Sequence, residues 1–240
     1  MSEIRQQLKE LGLERLASAI QAQSRPSLRL TAGKPSAQPV SRLGGRPNLP
    51  KDIPWPVWQE EQPLSFTAQL DLATLPRVRG LPLPRTGLRE PHRDLDEEVR
   101  FEGVALAAAP EISLPGKNSK FLRDLHATYE EFEAYWNLID PRSAGEHRMG
   151  GNANEIQNEL GLEAQLVSNG IYCGGEDGYK EGRRRGLDAG ASDWLLLLQV
   201  SSEERGGMTW GDGGRIYFMI RKDELRRRRF ENVHLRLQCT

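Results

Sequence analysis

The sequence predicts an α+β fold: a mainly antiparallel β-sheet in two duplicated, pseudo-symmetric halves, with an N-terminal helix packed on them. Three observations predict it. Short alternating or apolar segments recur along the chain with few helical stretches between them, which suits antiparallel sheet. The β–α alternation of a doubly wound parallel sheet is missing. Two sets of short motifs also recur in the same order in the first and second parts of the chain.

At the N-terminus, Ile4, Leu8, Leu11, Leu16 and Ile20 recur at helical spacing, so residues 2–22 form an amphipathic helix, with Ser2 placed to cap it and Gly12 placed to divide it. "SLRLTAG" alternates as a strand through Leu28 and Leu30. Six prolines between 35 and 56 exclude regular structure there, and Trp55 and Trp58 are expected to anchor that loop. "PLSFTAQLDL" reads as a strand with Leu64, Phe66, Ala68, Leu70 and Leu72 on one face, and "EVRFEGVALAA" continues in that style. Residues 119–138 return to helical period, with Phe121, Leu125, Tyr129, Phe132 and Trp136 on one side. "NEIQNELGLEAQLV" is mixed in signal, and "SNGIYCGGEDGY" reads as a loop. "DWLLLLQVSS" is apolar on both faces, as a central strand would be, and "RIYFMIR" is a further strand. "KDELRRRRF" reads as a short helix, and "ENVHLRLQCT" closes as a strand through Val233, Leu235 and Leu237.

The repetition is local. "RLGGRPN" at 42–48 echoes "RMGGNAN" at 148–154, and "LSFTAQL" at 64–70 echoes "WLLLLQV" at 194–200, with Gln69 matching Gln199. "GLREPHRD" at 87–94 echoes "GRIYFMIR" at 214–221 more loosely. The division expected is an N-terminal helix at 1–24 and one domain at 25–240, its halves at about 25–118 and 140–240.

Composition narrows the function. A chain of 240 residues with a net charge of −1 lacks the basic excess of a dedicated nucleic-acid binder. No apolar run approaches the ~20 residues of a membrane span, and the charged "MSEIRQQLKELGLERL" has no signal-peptide core, so a cytoplasmic setting is expected. Cys173 and Cys239 are too few for a disulfide framework. The four histidines form no Cys/His signature, and no CxxC, HExxH, EF-hand, GxGxxG or Walker spacing occurs. Neither metal nor cofactor is therefore expected. His147 reads as a turn or surface residue, and the "RRRR" run at 226–229 as a solvated helix face.

The blocks "SRLGGRPNLP", "WPVW", "PLSFTAQLDLATLP", "LVSNGIYCG", "DWLLLLQV" and "MTWGDGGRIYFMIRKDEL", ending in "LQC", together resemble the YwqG-like family. The resemblance runs from about residue 25 to the C-terminus. It implies a fold and a bacterial cytoplasmic setting, and it brings no activity with it. "LREPHRD" departs from the aromatic-rich strand usual at that point in the family.

Candidate ligand-binding residues are Trp210 and Asp212 of "WGDGG", Asn169 and Tyr172 of the "SNGIYCGGEDGY" loop, and the strand-end pair Gln69 and Gln199. An acid beside an indole face suits a sugar or cation, yet Asp212-Gly213 also supplies the positive φ angles of a tight turn. The two glutamines would face a shared crevice if the halves pack about a two-fold axis, or else each would bond a neighbouring backbone group. The leading functional reading is a non-catalytic protein-binding module of immunity or regulatory type. The alternatives are a small-ligand binder at Trp210, Asp212 and the 169–179 loop, and a hydrolase using Asp212, Glu176 or Asp177.

Overall fold

The computed structural model describes residues 2–35, 41–49, 54–58, 62–84, 101–117, 122, 124–139, 146–180, 182 and 186–239. The expected strand at 87–94 and the expected helical residue Phe121 lie outside the described residues, as does the side chain of Trp58.

The N-terminal helix is divided at Gly12 into α1 (Ser2–Glu10) and α2 (Glu14–Gln23). Gly12 takes a φ of +71°, a conformation in which glycine meets no side-chain penalty. That turn resets the helical phase, so Leu13 rather than Leu11 joins Leu8, Leu16 and Ile20 in the buried stripe. The stripe packs against α3 (Tyr129–Ile139) and Leu114, at the end of a sheet strand. Thr128 and Glu131 bond reciprocally at the start of α3, as a capping box, and Glu131 also receives Arg15 of α2 at 2.9 Å. Tyr135 and Ile139 turn inward on α3, and the Tyr135 hydroxyl donates to Pro115 O at 2.7 Å. Tyr129, expected on the apolar side, is 72% exposed, because the capping box fixes the helix start so that Tyr129 falls on the solvent side.

The sheet strands are β1 (Arg25–Pro35), β2 (Arg42–Leu43), β5 (Ala68–Gln69), β6 (Val104–Ser113), β7 (His147–Met149), β8 (Trp194–Ser201), β9 (Arg215–Arg221) and β10 (His234–Gln238). These eight form one sheet in the order β10-β9-β8-β7-β1-β6-β2-β5, and every pairing is antiparallel. A separate ribbon joins β3 (Val57–Trp58) to β4 (Gln62–Pro63), where half-buried Trp55 donates its indole N–H to Leu64 O.

The duplication is visible in the register. Arg42 pairs with Gln69 on β2–β5, and Arg148 pairs with Gln199 on β7–β8. Gly44 and Gly45 have positive φ, as do Gly150 and Gly151. The N–H of Gly44 donates to Thr67 O, and that of Gly150 donates to Leu197 O. β1 lies beside β7 with Leu28 opposite Met149, and β6 lies beside β2 with Val104 opposite Leu43. β6 is thus the counterpart of β1, and each half lends its first strand to the other. The pair Thr31–Ala107 sits on the pseudo-two-fold.

One sheet face carries Leu28, Leu30, Leu43, Val104, Leu198 and Val200, covered by apolar residues of the 70–83 segment. The opposite face carries Trp194, Leu196, Tyr217 and Met219 under Leu160 and Ala164 of α4 (Leu160–Ser168). β8 serves both because the register slips between Leu196 and Leu198, leaving Leu197 as the extra residue of a bulge. That is why "DWLLLLQV" is apolar in both phases, and β8 is central as expected.

Four further expectations change. Regular structure does form within 35–56, where Arg42 and Leu43, neither of them a proline, pair as β2. The alternation over 64–72 forms a ladder at Ala68–Gln69, and Leu64 is 50% exposed, because among the described residues β5 has only the two-residue β2 to pair with. On β10, Leu235 and Leu237 are 50% and 51% exposed while Gln238 is buried. Among the described residues β10 pairs only with β9, and its polar side chains are drawn inward by hydrogen bonds. His147 is wholly buried: its Nδ1 accepts from Ser201 N, its Nε2 lies 3.4 Å from Glu203, and burial lowers its pKa.

The "WGDGG" segment is a turn. Gly211 and Gly213 carry the positive φ angles, whereas Asp212 does not, and Gly214 N donates to Trp210 O at 2.7 Å. A Cβ on Gly214 would lie 2.2 Å from Trp210 O and 2.6 Å from Gln238 O. Gly214→Ala is expected to cost about 1–3 kcal/mol in chemical denaturation, as overpacking does, while exposed Asp212→Asn changes stability by roughly 0.5 kcal/mol or less. Leu196→Ala, which empties a site between β8 and α4, is expected to cost about 2–5 kcal/mol by the same measurement.

Candidate functional site

Both repeated glutamines are buried and their amides are engaged. Gln69 Oε1 accepts from Asn48 N at 2.7 Å, and Gln199 Oε1 accepts from Asn154 N at 2.9 Å. Gln199 Nε2 donates to Glu146 O. The two glutamines, on β5 and β8 with four strands between them, therefore share no crevice, and each is committed to holding its own Gly-Gly turn. Beside them Arg29 and Arg148 share Glu111 and Glu146, with Arg148 Nε at 2.6 Å from Glu111 and Arg29 Nε at 3.0 Å. Burial pushes the Glu111 carboxyl up, and Arg148 and Arg29 outweigh it, so its pKa is lowered overall.

A cleft of ≈ 640 Å³ opens elsewhere, between α4, the loop at its C-terminal end and β10. The helix ends where Asn169 Nδ2 donates to Gln165 O and Gly170 turns to a φ of +79°. The chain then doubles back as a tight loop into a short 3₁₀ turn at Glu176–Tyr179. Gly178 must lack a side chain there, since a Cβ would lie 2.2 Å from Tyr172 O. Tyr172, 79% exposed, lies across Gly174 and forms one lip of the cleft. The other lip is β10. Leu235, Arg236 and Leu237 all line the cleft, and three successive residues can do so only along a strand's edge, because neighbouring side chains point to opposite faces.

The interior is polar. Arg236 Nη1 donates to Leu235 O, and Arg236 Nε lies 3.6 Å from Glu163 Oε1. Arg236 Nε and Nη2 are buried without a hydrogen-bond partner. Gln238 bonds the opposing wall: its Oε1 accepts from Ile156 N and Gln157 N, and its Nε2 donates to Asn158 O. Burial raises the pKa of Glu163 against the opposing pull of Gln238 and Arg236. Burial, then the Glu163 charge, also raises Cys173 and Tyr179. A nucleophilic cysteine needs the reverse shift, toward thiolate. The arrangement thus suits recognition through hydrogen bonds and apolar contact.

Of the residues singled out from the sequence, Tyr172 lines this cleft and Asn169 caps the helix that leads to it. Trp210 is half-buried edge-on against Phe101, with ring centroids 5.6 Å apart, and Asp212 is exposed in its turn. Neither lines the cleft, so the structure does not join the "WGDGG" segment to the 169–179 loop there. Glu163, Arg236, Leu235 and Leu237 were not foreseen as site residues. The signal that points to them is the alternation of "HLRLQ" once it is assigned to an edge, where the leucines face out. The arginine run is partly neutralised by its own helix, α5 (Lys222–Arg227), with Arg227 near Asp223 and Glu224. Among the described residues no group of three or more His, Cys, Asp or Glu could hold a metal ion, and no helix is long and apolar enough to cross a membrane.

No curated protein matches the chain. The family described as Domain of unknown function (DUF1963) matches residues 41–90 and 90–239. These segments take in both Gly-Gly turns, both repeated glutamines and the whole cleft, and the chain belongs to the DUF1963 family.

Proposed function

We propose that this chain is a YwqG-like recognition module that binds an extended segment of a protein partner along the edge of β10, in the bacterial cytoplasm. The observation that carries the reading is the cleft itself, which runs beside an edge strand with two half-exposed leucines. An extended peptide gains main-chain hydrogen bonds by adding to such an edge, and alternate side chains then find pockets. Leu235 and Leu237 offer apolar contact on one face, Tyr172 offers an aromatic lip, and Arg236 with Glu163 offers polar contacts between them. The setting rests on the YwqG-like resemblance. A second reading, a small polar ligand in the same cleft, draws support from the buried Arg236 Nε and Nη2.

Selection from a display library of random peptides tests the proposal. Enriched peptides are expected to carry an apolar–x–apolar pattern and to slow hydrogen exchange at β10 amides. Leu237→Lys is expected to weaken them about tenfold, which is ~1.4 kcal/mol, with melting temperature unchanged because Leu237 is half exposed. Binders that leave the β10 amides unprotected, or no enrichment over an unrelated protein, overturn the reading. A metabolite that raises the melting temperature and is abolished by Arg236→Gln, with no peptide enriched, selects the small-ligand reading instead.

A further inference from the structure

A second cavity, of ≈ 250 Å³, lies where the β8 bulge meets the 80–83 segment. Its walls are apolar: Leu81 and Leu83 from that segment, Leu195 and Leu197 from β8, Pro26 from β1 and Leu225 from α5. The bulge creates the space. Leu197 is the unpaired extra residue, and its carbonyl receives Gly150 N at 3.2 Å. Gly150 takes a φ of +68°, which favours glycine, and Leu81 Cδ1 packs 2.1 Å from where its Cβ would stand.

The equivalent turn in the first half is also crowded: a Cβ on Gly44 would meet Phe101 Cβ at 2.8 Å and Met208 Cε at 3.0 Å.

The rim is cationic. Arg25, Lys222 and Arg226 all line the cavity, and among the described residues no acidic side chain does. Lys222 donates to Ser192 O at 2.7 Å, with Asp193 at 4.0 Å. Arg25 and Arg226 are exposed, and among the described residues neither side chain makes an ion pair. An apolar pocket ringed by cations favours a ligand with an apolar body and an anionic end: the body gains by leaving water, and the charge stays at the wet rim where the arginines meet it bidentately. The volume is below the roughly 300–1,000 Å³ usual for drug-sized ligands, which limits the body to a short chain. From these features we infer that this cavity binds a free amphiphilic carboxylate with a short alkyl chain. The site is separate from the β10 cleft and stands whether or not a peptide binds there.

Octanoate is the probe, with octan-1-ol and inorganic phosphate as the tail-only and charge-only controls, followed by methyl NMR on the full chain. Octanoate is expected to shift the methyls of Leu81, Leu195, Leu197 and Leu225. It is expected to bind at least about fivefold more tightly than octan-1-ol, and phosphate is expected to leave those methyls unmoved. The double variant Arg25→Gln/Arg226→Gln, at exposed positions, is expected to lose that preference and keep octan-1-ol binding. Octan-1-ol binding as tightly as octanoate, an unaffected preference in the double variant, or stationary methyls at those four leucines would each overturn the inference. Octanoate that acts only when presented in anionic vesicles, with no effect from the free acid, would also overturn it, in favour of a membrane surface.

Discussion

Two side-chain carbonyls hold the two Gly-Gly turns on which the pairing of the halves depends. Gln69 at the end of β5 and Gln199 within β8 each receive the backbone N–H of an asparagine that closes a Gly-Gly turn. A buried amide is costly unless its bonds are made, so each glutamine fixes its turn in one geometry. The turn in its fixed geometry sets β2 and β7 in position to accept a first strand from the opposite half, which is how β1 reaches β7 and β6 reaches β2. Gln238 repeats the device on the next stretch of chain, bonding Ile156, Gln157 and Asn158. The wall of the β10 cleft is therefore stitched to the sheet by the same chemistry that sets the core.

The ion-pair quartet spans the junction of the halves. Arg29, Glu111 and Arg148 come from β1, β6 and β7, and Glu146 is the residue before β7. Buried ion pairs of this kind contribute little net stability over apolar packing, because desolvation offsets the Coulomb gain. Their effect is on register. A slip of one residue would send Arg148 and Glu146 to the apolar face beside Leu28 and Leu30, and leave Glu111 with Arg29 alone. The first half has no matching carboxylate at Pro35, the counterpart of Glu111, so the two halves are alike in backbone and unlike in charge.

The duplicated architecture was legible because its determinants are short motifs: a Gly-Gly turn closed by an asparagine, and a strand carrying a glutamine after an apolar run. β8 was legible for a related reason, since its double apolar phase reflects a bulge within the strand itself. The illegible features depended on partners far along the chain. The 64–72 alternation has the right period, but among the described residues its only neighbour is two residues long. The β10 leucines look like a core face until the strand is known to lie at an edge. Arg236 and Glu163 meet across the cleft from segments that share no motif, and burial rather than sequence spacing perturbs Glu163. The candidate site was therefore only partly visible: Tyr172 and its loop were found, whereas the strand edge opposite was not.

Native-state hydrogen exchange at the Asn48 and Asn154 amides, with Tyr217 in β9 as an internal standard, tests the central claim most directly. The account predicts that both asparagine amides exchange slowly in the native protein, although neither lies in a strand or helix. It predicts further that Gln199→Ala frees the Asn154 amide relative to Tyr217 and leaves Asn48 protected. Open-chain exchange at Asn154 in the unaltered protein, or an Asn154 rate that tracks Tyr217 unchanged in Gln199→Ala, would contradict it.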